Sequence, residues 1–286
     1  MLLLVDAGNT RIKWAVAPEH DSPVTALRLS AGQTRCRLPT PPGQAWVAQG
    51  AVTHHEIGRL GRDWQQYGID AIIVANVAGG VIAAALQQHF QVLVTAGGMP
   101  AMVRWFASSA TAAGVRNGYR EPACLGCDRM ASLIGAHALW PGQALIVATC
   151  GTATTIDALS AEGQFTGGLI LPGFSTMALS LAQCAAQLQQ LPHRRQLPTA
   201  PALQGDLSAG LFADNTDDAI QQGCLAAQVG AIDYAVTRYG NARCILSGGA
   251  AYRIAPHLAV MPTLVDNLVL VGLEEVVRND RCRTPD

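Results

Sequence analysis

A strand–turn–strand unit near the start of the chain constrains the fold more than any other feature. The segment "LLLVDAGNTRIKW", residues 2–14, runs from an apolar stretch into Asp6 and Gly8 and then becomes apolar again. So short a polar interruption predicts two antiparallel strands. Glycine in the turn lets backbone N–H groups approach a ligand, and N–H groups gathered in a tight turn can bind an anion. A plain β-hairpin explains the turn about as well.

A second unit repeats this design in the other half of the chain. The segment "ALIVATCGTATTIDAL", residues 144–159, also has an apolar strand, a small-residue turn and a returning strand, and its Gly151 aligns with Gly8. We therefore predict one fold made twice, as domains 1–118 and 119–286. Chance similarity of two such units is the alternative.

Strand and helix patterns alternate along the whole chain, which favours an α/β fold. Strands are predicted at residues 45–48, 71–77, 91–95, 163–173 and 242–250. Helices are predicted at residues 56–67, 80–90, 128–140, 174–191, 215–238 and 268–278. Residues 19–44 have weak periodicity and are interpreted as a variable edge of the sheet.

A third turn, "LSGGA" at residues 246–250, ends a strand in Gly248 and Gly249. Paired glycines there would let a purine ring or a phosphate lie against the backbone. Neither G-x-x-x-x-G-K-[ST] nor G-x-G-x-x-G after a strand is found. The three turns together resemble the superfamily of sugar kinases, heat-shock ATPases and actin. That resemblance implies two ribonuclease-H-like domains, each a mixed sheet flanked by helices, which close on ATP with two phosphate loops and one adenosine loop.

The segment Gly126–Arg129, "GCDR", opens the second half of the chain. A carboxylate at the start of a helix is held by free N–H groups and by the helix dipole. Asp128 would then stay ionised and able to accept a proton, although an ordinary helix cap is the simpler interpretation of an isolated aspartate.

Five motifs in order resemble the type III pantothenate kinases, a family that also includes a protein described as a Bvg accessory factor. They are "DAGNTRIK" at 6–13, "NGYREPACLGCDR" at 117–129, "GTATTID" at 151–157, "GGLILPG" at 167–173 and "LSGGA" at 246–250. The resemblance implies phosphorylation of pantothenate by ATP, the first committed step of coenzyme A synthesis.

The resemblance also implies roles for individual residues. Asp128 would be the base that takes the proton from the primary hydroxyl of pantothenate. The expected pantothenate-binding residues are Tyr119, Gly126, Cys127, Asp128, Arg129 and Ala185. The expected ATP-binding residues are Asp6, Ala7, Gly8, Asn9, Thr10, Arg11, Ile12, Lys13, Thr152, Gly248 and Gly249. From the chemistry of hard cations, Asp6 is the candidate Mg²⁺ ligand. The family works as a homodimer with its pocket near the subunit boundary.

Two positions depart from the family pattern. Thr149 stands where most members have an aspartate that helps to bind a monovalent cation such as K⁺ or NH₄⁺, so that site is weaker, rebuilt from carbonyls, or missing. Ala185 stands where a threonine hydroxyl usually meets pantothenate, a hydrogen bond worth about 1 kcal/mol.

Composition excludes several classes of protein. The formal net charge of -1 gives no basic field for nucleic acid, and no apolar run approaches the ~20 residues needed to cross a bilayer. The eight scattered cysteines, including the lone C-x-x-C of Cys124 and Cys127, are best explained as reduced thiols in a cytoplasmic protein. The charged fraction of 14% fits a chain that buries surface in a subunit interface.

Two other functions stay open from the sequence. Another small-molecule kinase of the same superfamily would share the ATP-binding turns. A nucleotide-binding regulatory accessory protein without turnover would share them as well, although it would have no chemical need for Asp6, Asp128 and Arg129.

Overall fold

The computed structural model describes residues 1–18, 46–93, 101–188 and 212–282. The strands are β1 Leu2–Ala7, β2 Arg11–Ala17, β3 Ala48–Thr53, β4 Ala71–Asn76, β5 Met102–Phe106, β6 Thr111–Ala112, β7 Val115–Asn117, β8 Leu145–Cys150, β9 Ala153–Leu159, β10 Gln164–Pro172, β11 Arg243–Ser247 and β12 Thr263–Leu264. The α-helices are α1 Leu60–Gln65, α2 Gly80–Gln91, α3 Cys127–Leu139, α4 Phe174–Leu188, α5 Thr216–Tyr239, α6 Ala251–Ile254 and α7 Leu268–Arg281. Short 3₁₀ helices cover His54–Arg59, Pro122–Cys124 and Ala255–His257.

The chain divides into two compact units. Unit 1 comprises Met1–Gln143, Leu159–Thr166 and Asn267–Asp286, and unit 2 comprises Ala144–Ala158 and Gly167–Asp266. Both have strands covered by helices, so the predicted mixed α/β class is confirmed. The boundary between residues 118 and 119 stays a prediction.

The sheet of unit 1 has the strand order β3-β2-β1-β4-β5. Strand β1 is antiparallel to β2 and parallel to β4, and β4 is parallel to β5. Apolar side chains of these strands are buried together with Trp64 and Phe90, whose rings stack with centroids 5.7 Å apart. The carboxyl ends of β1, β4 and β5 lie at one edge of the sheet, the edge at which α/β folds bind ligands.

Helix α3 packs closely against α7 in unit 1. A Cβ on Gly272 would lie 1.8 Å from the carbonyl oxygen of Ala131, and one on Gly135 would lie 2.7 Å from that of Leu268. Only glycine allows this approach of two backbones. The crossing therefore fixes α3, whose first turn carries the "GCDR" motif.

Unit 2 contains the strands β12, β11, β8, β9 and β10, which are neighbours in that order. Strands β8, β11 and β12 are parallel. Residues of α4, α5 and α6 pack with those of β8 and β11 in one apolar core. The first residues of β10, which belong to unit 1, pair with β7.

Most predicted elements are confirmed within one to three residues where the structure describes them, and two are not. Residues 189–191 of the helix predicted at 174–191 lie outside the described residues. The strand predicted at 45–48 begins at Ala48 and continues to Thr53. The strand predicted at 91–95 is wrong over its described part, because Gln91 ends α2 and β5 follows at Met102–Phe106. Phe90 of α2 and Leu93, which lies two residues beyond the end of that helix, are both buried in the core. In an extended strand, residues three positions apart would point to opposite faces. Residues 19–45 lie outside the described residues.

None of the helices within the described ranges is long and apolar enough to span a bilayer.

Candidate active site

Two carboxylates of unit 1 lie close enough for their charges to interact. Asp6 stands at the end of β1, opposite Lys13 in the register of β2, and cross-strand partners share one face of a sheet. The pKa of Asp6 is raised to about 7, chiefly by burial; the charge of Lys13 lowers it and the charge of Asp128 adds to the increase. The structure thus brings together the predicted metal ligand, the predicted base and a cation.

The first turn of α3 holds Asp128 in place. The backbone N–H of Arg129 donates to Asp128 Oδ1 at 2.8 Å. A Cβ on Gly126 would lie 2.6 Å from the same oxygen, which explains the glycine two residues before the aspartate. Burial raises the pKa of Asp128, while the Arg129 N–H and guanidinium act in the opposite direction. Asp128 is therefore a better proton acceptor than an exposed aspartate.

Arg129 is buried beside two aromatic rings that also contact each other. Its Nη1 donates to the hydroxyl of Tyr119 at 2.7 Å, and its guanidinium carbon lies 5.5 Å from the ring centroid of Tyr119 and 5.8 Å from that of Phe165. Such contacts hold a guanidinium in a set plane. The predicted pantothenate residues Tyr119 and Arg129 are thus in contact, and sequence reasoning missed Phe165 behind them.

Asn76 and Ser108, two residues at the carboxyl edge of the sheet, bind the start of α3. The thiol of Cys127 donates to the carbonyl oxygen of Asn76 at 3.6 Å, and Ser108 Oγ donates to that of Gly126 at 3.3 Å. Burial raises the pKa of Cys127 to about 11, so this thiol stays protonated and is a poor nucleophile. Neither Asn76 nor Ser108 was predicted, although each follows or ends a strand at the carboxyl edge.

Metal and redox use of the C-x-x-C receives no support. Cys124 and Cys127 are both free thiols. Over the part of the chain that the structure describes, no three His, Cys, Asp or Glu side chains form a group that could hold a metal by themselves. A Mg²⁺ ion would fit Asp6 only in the usual nucleotide-dependent way, in which phosphates and water supply the remaining ligands.

The first predicted phosphate turn joins β1 and β2. The N–H of Gly8 donates to the carbonyl oxygen of Arg11 at 3.1 Å, and the exposed Asn9 and Thr10 form the tip. His54 Nε2 lies 2.9 Å from the Gly8 carbonyl oxygen. Two other predicted ATP-binding residues, Ala7 and Ile12, have fully buried side chains in the core of unit 1, which leaves only their backbone for ligand contact.

The second predicted phosphate turn, in unit 2, has a related geometry. The N–H of Gly151 donates to the carbonyl oxygen of Ala153 at 3.0 Å. The carbonyl oxygen of Thr152 accepts from the Gly173 N–H at 2.9 Å and from Thr176 Oγ1 at 2.7 Å. A Cβ on Gly173 would lie 2.0 Å from the Gly151 carbonyl oxygen, so the "LPG" motif ends against this turn.

The glycine pair after β11 also contacts the second turn. Gly248 has φ of +93°, and a Cβ there would lie 2.4 Å from the carbonyl oxygen of Cys150. The N–H of Ala250 donates to that oxygen at 3.0 Å, and nothing lies within 4 Å of a Cβ on Gly249. The predicted residues Thr152, Gly248 and Gly249 therefore come together in unit 2.

The structure says little about the two residues that depart from the family pattern, Thr149 and Ala185. Thr149 stands near the end of β8, beside Ser247 of β11 in the register, so two neutral hydroxyl residues face each other across the strands. Ala185 falls in the last part of α4, where side chains lie outside the described residues.

The sequence is similar to known families and proteins over most of its length. The family model described as type III pantothenate kinase matches residues 2–238. A type III pantothenate kinase from Janthinobacterium sp. (strain Marseille) is 50% identical over 282 residues, which cover 96% of this chain and 97% of that protein. One from Herminiimonas arsenicoxydans is 46% identical over 282 residues, with the same two shares.

Solved structures share the fold at low sequence identity. A chain from Campylobacter jejuni, described as a Baf family transcriptional activator, has a TM-score of 0.54 at 15% identity and covers 98% of this chain and 99% of its own. A chain from Sinorhizobium meliloti, described as a 2-dehydro-3-deoxygalactonokinase, has a TM-score of 0.53 at 16% identity over the same shares. These likenesses concern the fold alone, and they agree with the predicted mixed α/β fold of sheets flanked by helices.

Proposed function

The chain belongs to the type III pantothenate kinase family, and we propose that Asp128 is the base in its reaction, the ATP-dependent phosphorylation of pantothenate that begins coenzyme A synthesis. The observation that supports this role is that Asp128, in the first turn of α3, lies near enough to Asp6 at the carboxyl edge of the unit 1 sheet for its charge to raise the pKa of that carboxyl. A regulatory accessory protein without turnover is not favoured by this membership.

Asp128 and Arg129 would have separate roles toward pantothenate, the acceptor of the phosphoryl group. Burial gives Asp128 a raised pKa, so it can take the proton of the primary hydroxyl as that oxygen attacks the γ-phosphorus. Arg129, oriented by its aromatic neighbours, would bind the carboxylate of pantothenate as a planar fork. Positioning supplies most of the rate in phosphoryl transfer, and the base adds about 10²–10⁴-fold.

The three glycine turns and Lys13 would bind ATP. N–H groups of the Gly8 and Gly151 turns suit phosphate oxygens, and Lys13 would place a positive charge beside the terminal phosphates. A bound Mg²⁺ ion would neutralise charge that develops on those phosphates, and Asp6 is the residue that would hold it. The glycines after β11 would receive the adenosine.

A two-part assay tests this function. ADP release is measured with pantothenate and with simple sugars as acceptors, and the phosphorylated product is identified by mass spectrometry. We expect turnover with pantothenate alone. ATP binding without phosphopantothenate would support the regulatory alternative, and turnover with a sugar would indicate another kinase of the superfamily.

A homodimer is proposed from the surface of unit 2. Four large apolar side chains are exposed on the successive elements β10 and α4, namely Leu169, Ile170, Leu179 and Leu181. Exposed apolar groups of this size favour a partner surface. Light scattering should give twice the chain mass of 29.9 kDa, and Ile170→Glu should lower it; a monomeric wild type would contradict the proposal.

A weak response to monovalent cations is proposed from Thr149, since a neutral hydroxyl is a poorer ligand for K⁺ than a carboxylate. Activity in K⁺, NH₄⁺ and Na⁺ should differ little, and Thr149→Asp should increase the difference. Strong activation of the wild type by K⁺ would show that other groups build the site.

A cytoplasmic location is proposed from the free thiols of the described cysteines. The chain expressed with a fluorescent tag should remain in the cytosolic fraction.

A further inference from the structure

We infer that His54 is a positioning residue for the first phosphate turn, an inference that rests on the proposed function of that turn as an ATP site. His54 Nε2 lies 2.9 Å from the carbonyl oxygen of Gly8. A carbonyl oxygen can only accept, so Nε2 carries the proton and the imidazole donates to the turn.

The sheet register brings His54 to this place. Strand β3 pairs with β2, and its last residue, Thr53, stands opposite Arg11, the first residue after the turn. His54 follows Thr53 directly and is half-buried. A side chain that leaves the sheet at this point can reach the turn between β1 and β2, as His54 does.

A capping box fixes the backbone from which His54 projects. The N–H and the hydroxyl of Thr53 both donate to Glu56 Oε2, at 3.0 and 2.9 Å. This T-x-x-E arrangement closes the start of the 3₁₀ helix His54–Arg59. The imidazole is therefore held at its base, as a positioning group must be.

Peptide geometry explains why a held carbonyl matters for a phosphate. In a trans peptide the C=O and the N–H of one unit point in opposite directions. When His54 holds the Gly8 carbonyl, the N–H of Asn9 must point away from His54, and Asn9 is an exposed residue. His54 thus orders a donor for the ligand without touching the ligand.

The second turn also has a carbonyl oxygen that is held from outside, but it belongs to Thr152, one residue after the glycine that aligns with Gly8. The Thr152 carbonyl oxygen is held by Thr176 Oγ1 and by the Gly173 N–H, so the N–H of Ala153 is turned to the opposite side. Two independently built turns that each have a carbonyl held from outside favour a role in ligand binding over chance contact.

The test uses three variants that differ in whether residue 54 offers an N–H to the Gly8 carbonyl oxygen. His54→Phe keeps a flat ring and removes the N–H, His54→Gln restores an N–H of similar reach, and His55→Phe alters the exposed neighbour as a matched control. Binding of Mg²⁺ with the non-hydrolysable analogue adenylyl imidodiphosphate is measured by calorimetry, and KM is measured for each substrate. Thermal unfolding checks that each variant is folded.

We expect His54→Phe to weaken nucleotide binding and raise the KM for ATP by roughly threefold to tenfold, the range for one hydrogen bond. The KM for pantothenate should not change, and the other two variants should resemble the wild type. A folded His54→Phe variant with wild-type nucleotide affinity would overturn the inference, as would an equal rise in both KM values.

The results of these experiments distinguish a failure of the His54 inference from a failure of the proposed kinase function. A wild type that binds the nucleotide but forms no phosphopantothenate contradicts the proposed function, and the calorimetric comparison of the His54 variants still decides the inference. A wild type that does not bind the nucleotide overturns both. If His54→Phe does not fold, the nucleotide affinity of His54→Gln is compared with that of the His55→Phe control. A tenfold weaker affinity in His54→Gln would contradict the inference, because the glutamine N–H should replace the imidazole N–H.

Discussion

Replacing Asp6 with asparagine is expected to stabilise the protein and to abolish its activity. Burial raises the pKa of Asp6 from 3.8 to about 7, so the folded state disfavours the ionised carboxylate. The free energy of unfolding therefore falls as the pH rises from the unfolded pKa to the folded one. Asparagine has nearly the same shape and no charge, so the variant is free of this cost, but it also lacks the carboxylate proposed to hold Mg²⁺.

The expected gain depends on pH in a defined way. A folded pKa of about 7 against 3.8 unfolded corresponds to roughly 4 kcal/mol at pH 7 and above, about 2 kcal/mol at pH 5 and under about 1 kcal/mol at pH 4. Asp6 keeps some exposure to solvent, and screening makes these values upper bounds. The difference between variant and wild type should thus grow with pH and level off near pH 7.

Tryptophan fluorescence during urea unfolding measures the difference in stability between variant and wild type, and it reports on unit 1, which contains Asp6. All five tryptophans, Trp14, Trp46, Trp64, Trp105 and Trp140, belong to unit 1. Titrations of wild type and Asp6→Asn at about pH 4, 5 and 8 give three differences in the free energy of unfolding, one at each pH.

A second variant, Lys13→Met, tests whether the raised pKa of Asp6 causes the pH dependence, and two results would refute that explanation. Lys13→Met removes the charge that lowers the pKa of Asp6, so its stability should continue to fall above pH 7. An Asp6→Asn variant no more stable than the wild type at pH 8, or a stability gain that does not change with pH, would contradict the reasoning.

Three further predictions concern the first turn of α3. Asp128→Asn should lower kcat by about 10²–10⁴-fold with nucleotide affinity and thermal stability unchanged, and near-normal turnover would remove Asp128 from the mechanism. Because burial raises the pKa of Asp128, the rate should fall with decreasing pH at a higher pH than for an exposed aspartate, a limb that a pH–rate profile locates. Arg129→Lys keeps the charge but not the fork, so the KM for pantothenate should rise by roughly tenfold or more; an unchanged value would place the carboxylate elsewhere.

The features that local chemistry determines could be predicted from the sequence. Gly8, Gly151 and Gly248 interrupt apolar strands, and the chain has little choice but to turn there. The strand-and-helix alternation follows from apolar periodicity, and the "GCDR" motif begins a helix as expected because Gly126 leaves room for the carboxylate.

The groups that support the site could not be predicted with the same certainty, because they come from distant parts of the chain. Phe165 reaches Arg129, and Ser108 reaches Gly126, only through tertiary packing. His54 had one local signal, the T-x-x-E capping box that follows β3, but nothing in the sequence tells which carbonyl its ring meets. The strand predicted at 91–95 was wrong for a related reason. A short apolar run is compatible with both the helical and the strand period, and only tertiary packing determines which one forms.

The two phosphate turns show how similar local designs can depend on different supports. In unit 1 the Gly8 carbonyl is held by the side chain of His54, which a single substitution can remove. In unit 2 the Thr152 carbonyl is held partly by the backbone of Gly173, whose missing Cβ is itself required by the contact with Gly151. The first turn can therefore be adjusted independently of the sheet, whereas the second is tied to the course of β10 into α4. The turn beside Asp6 is for this reason the one whose donor geometry a single residue can tune.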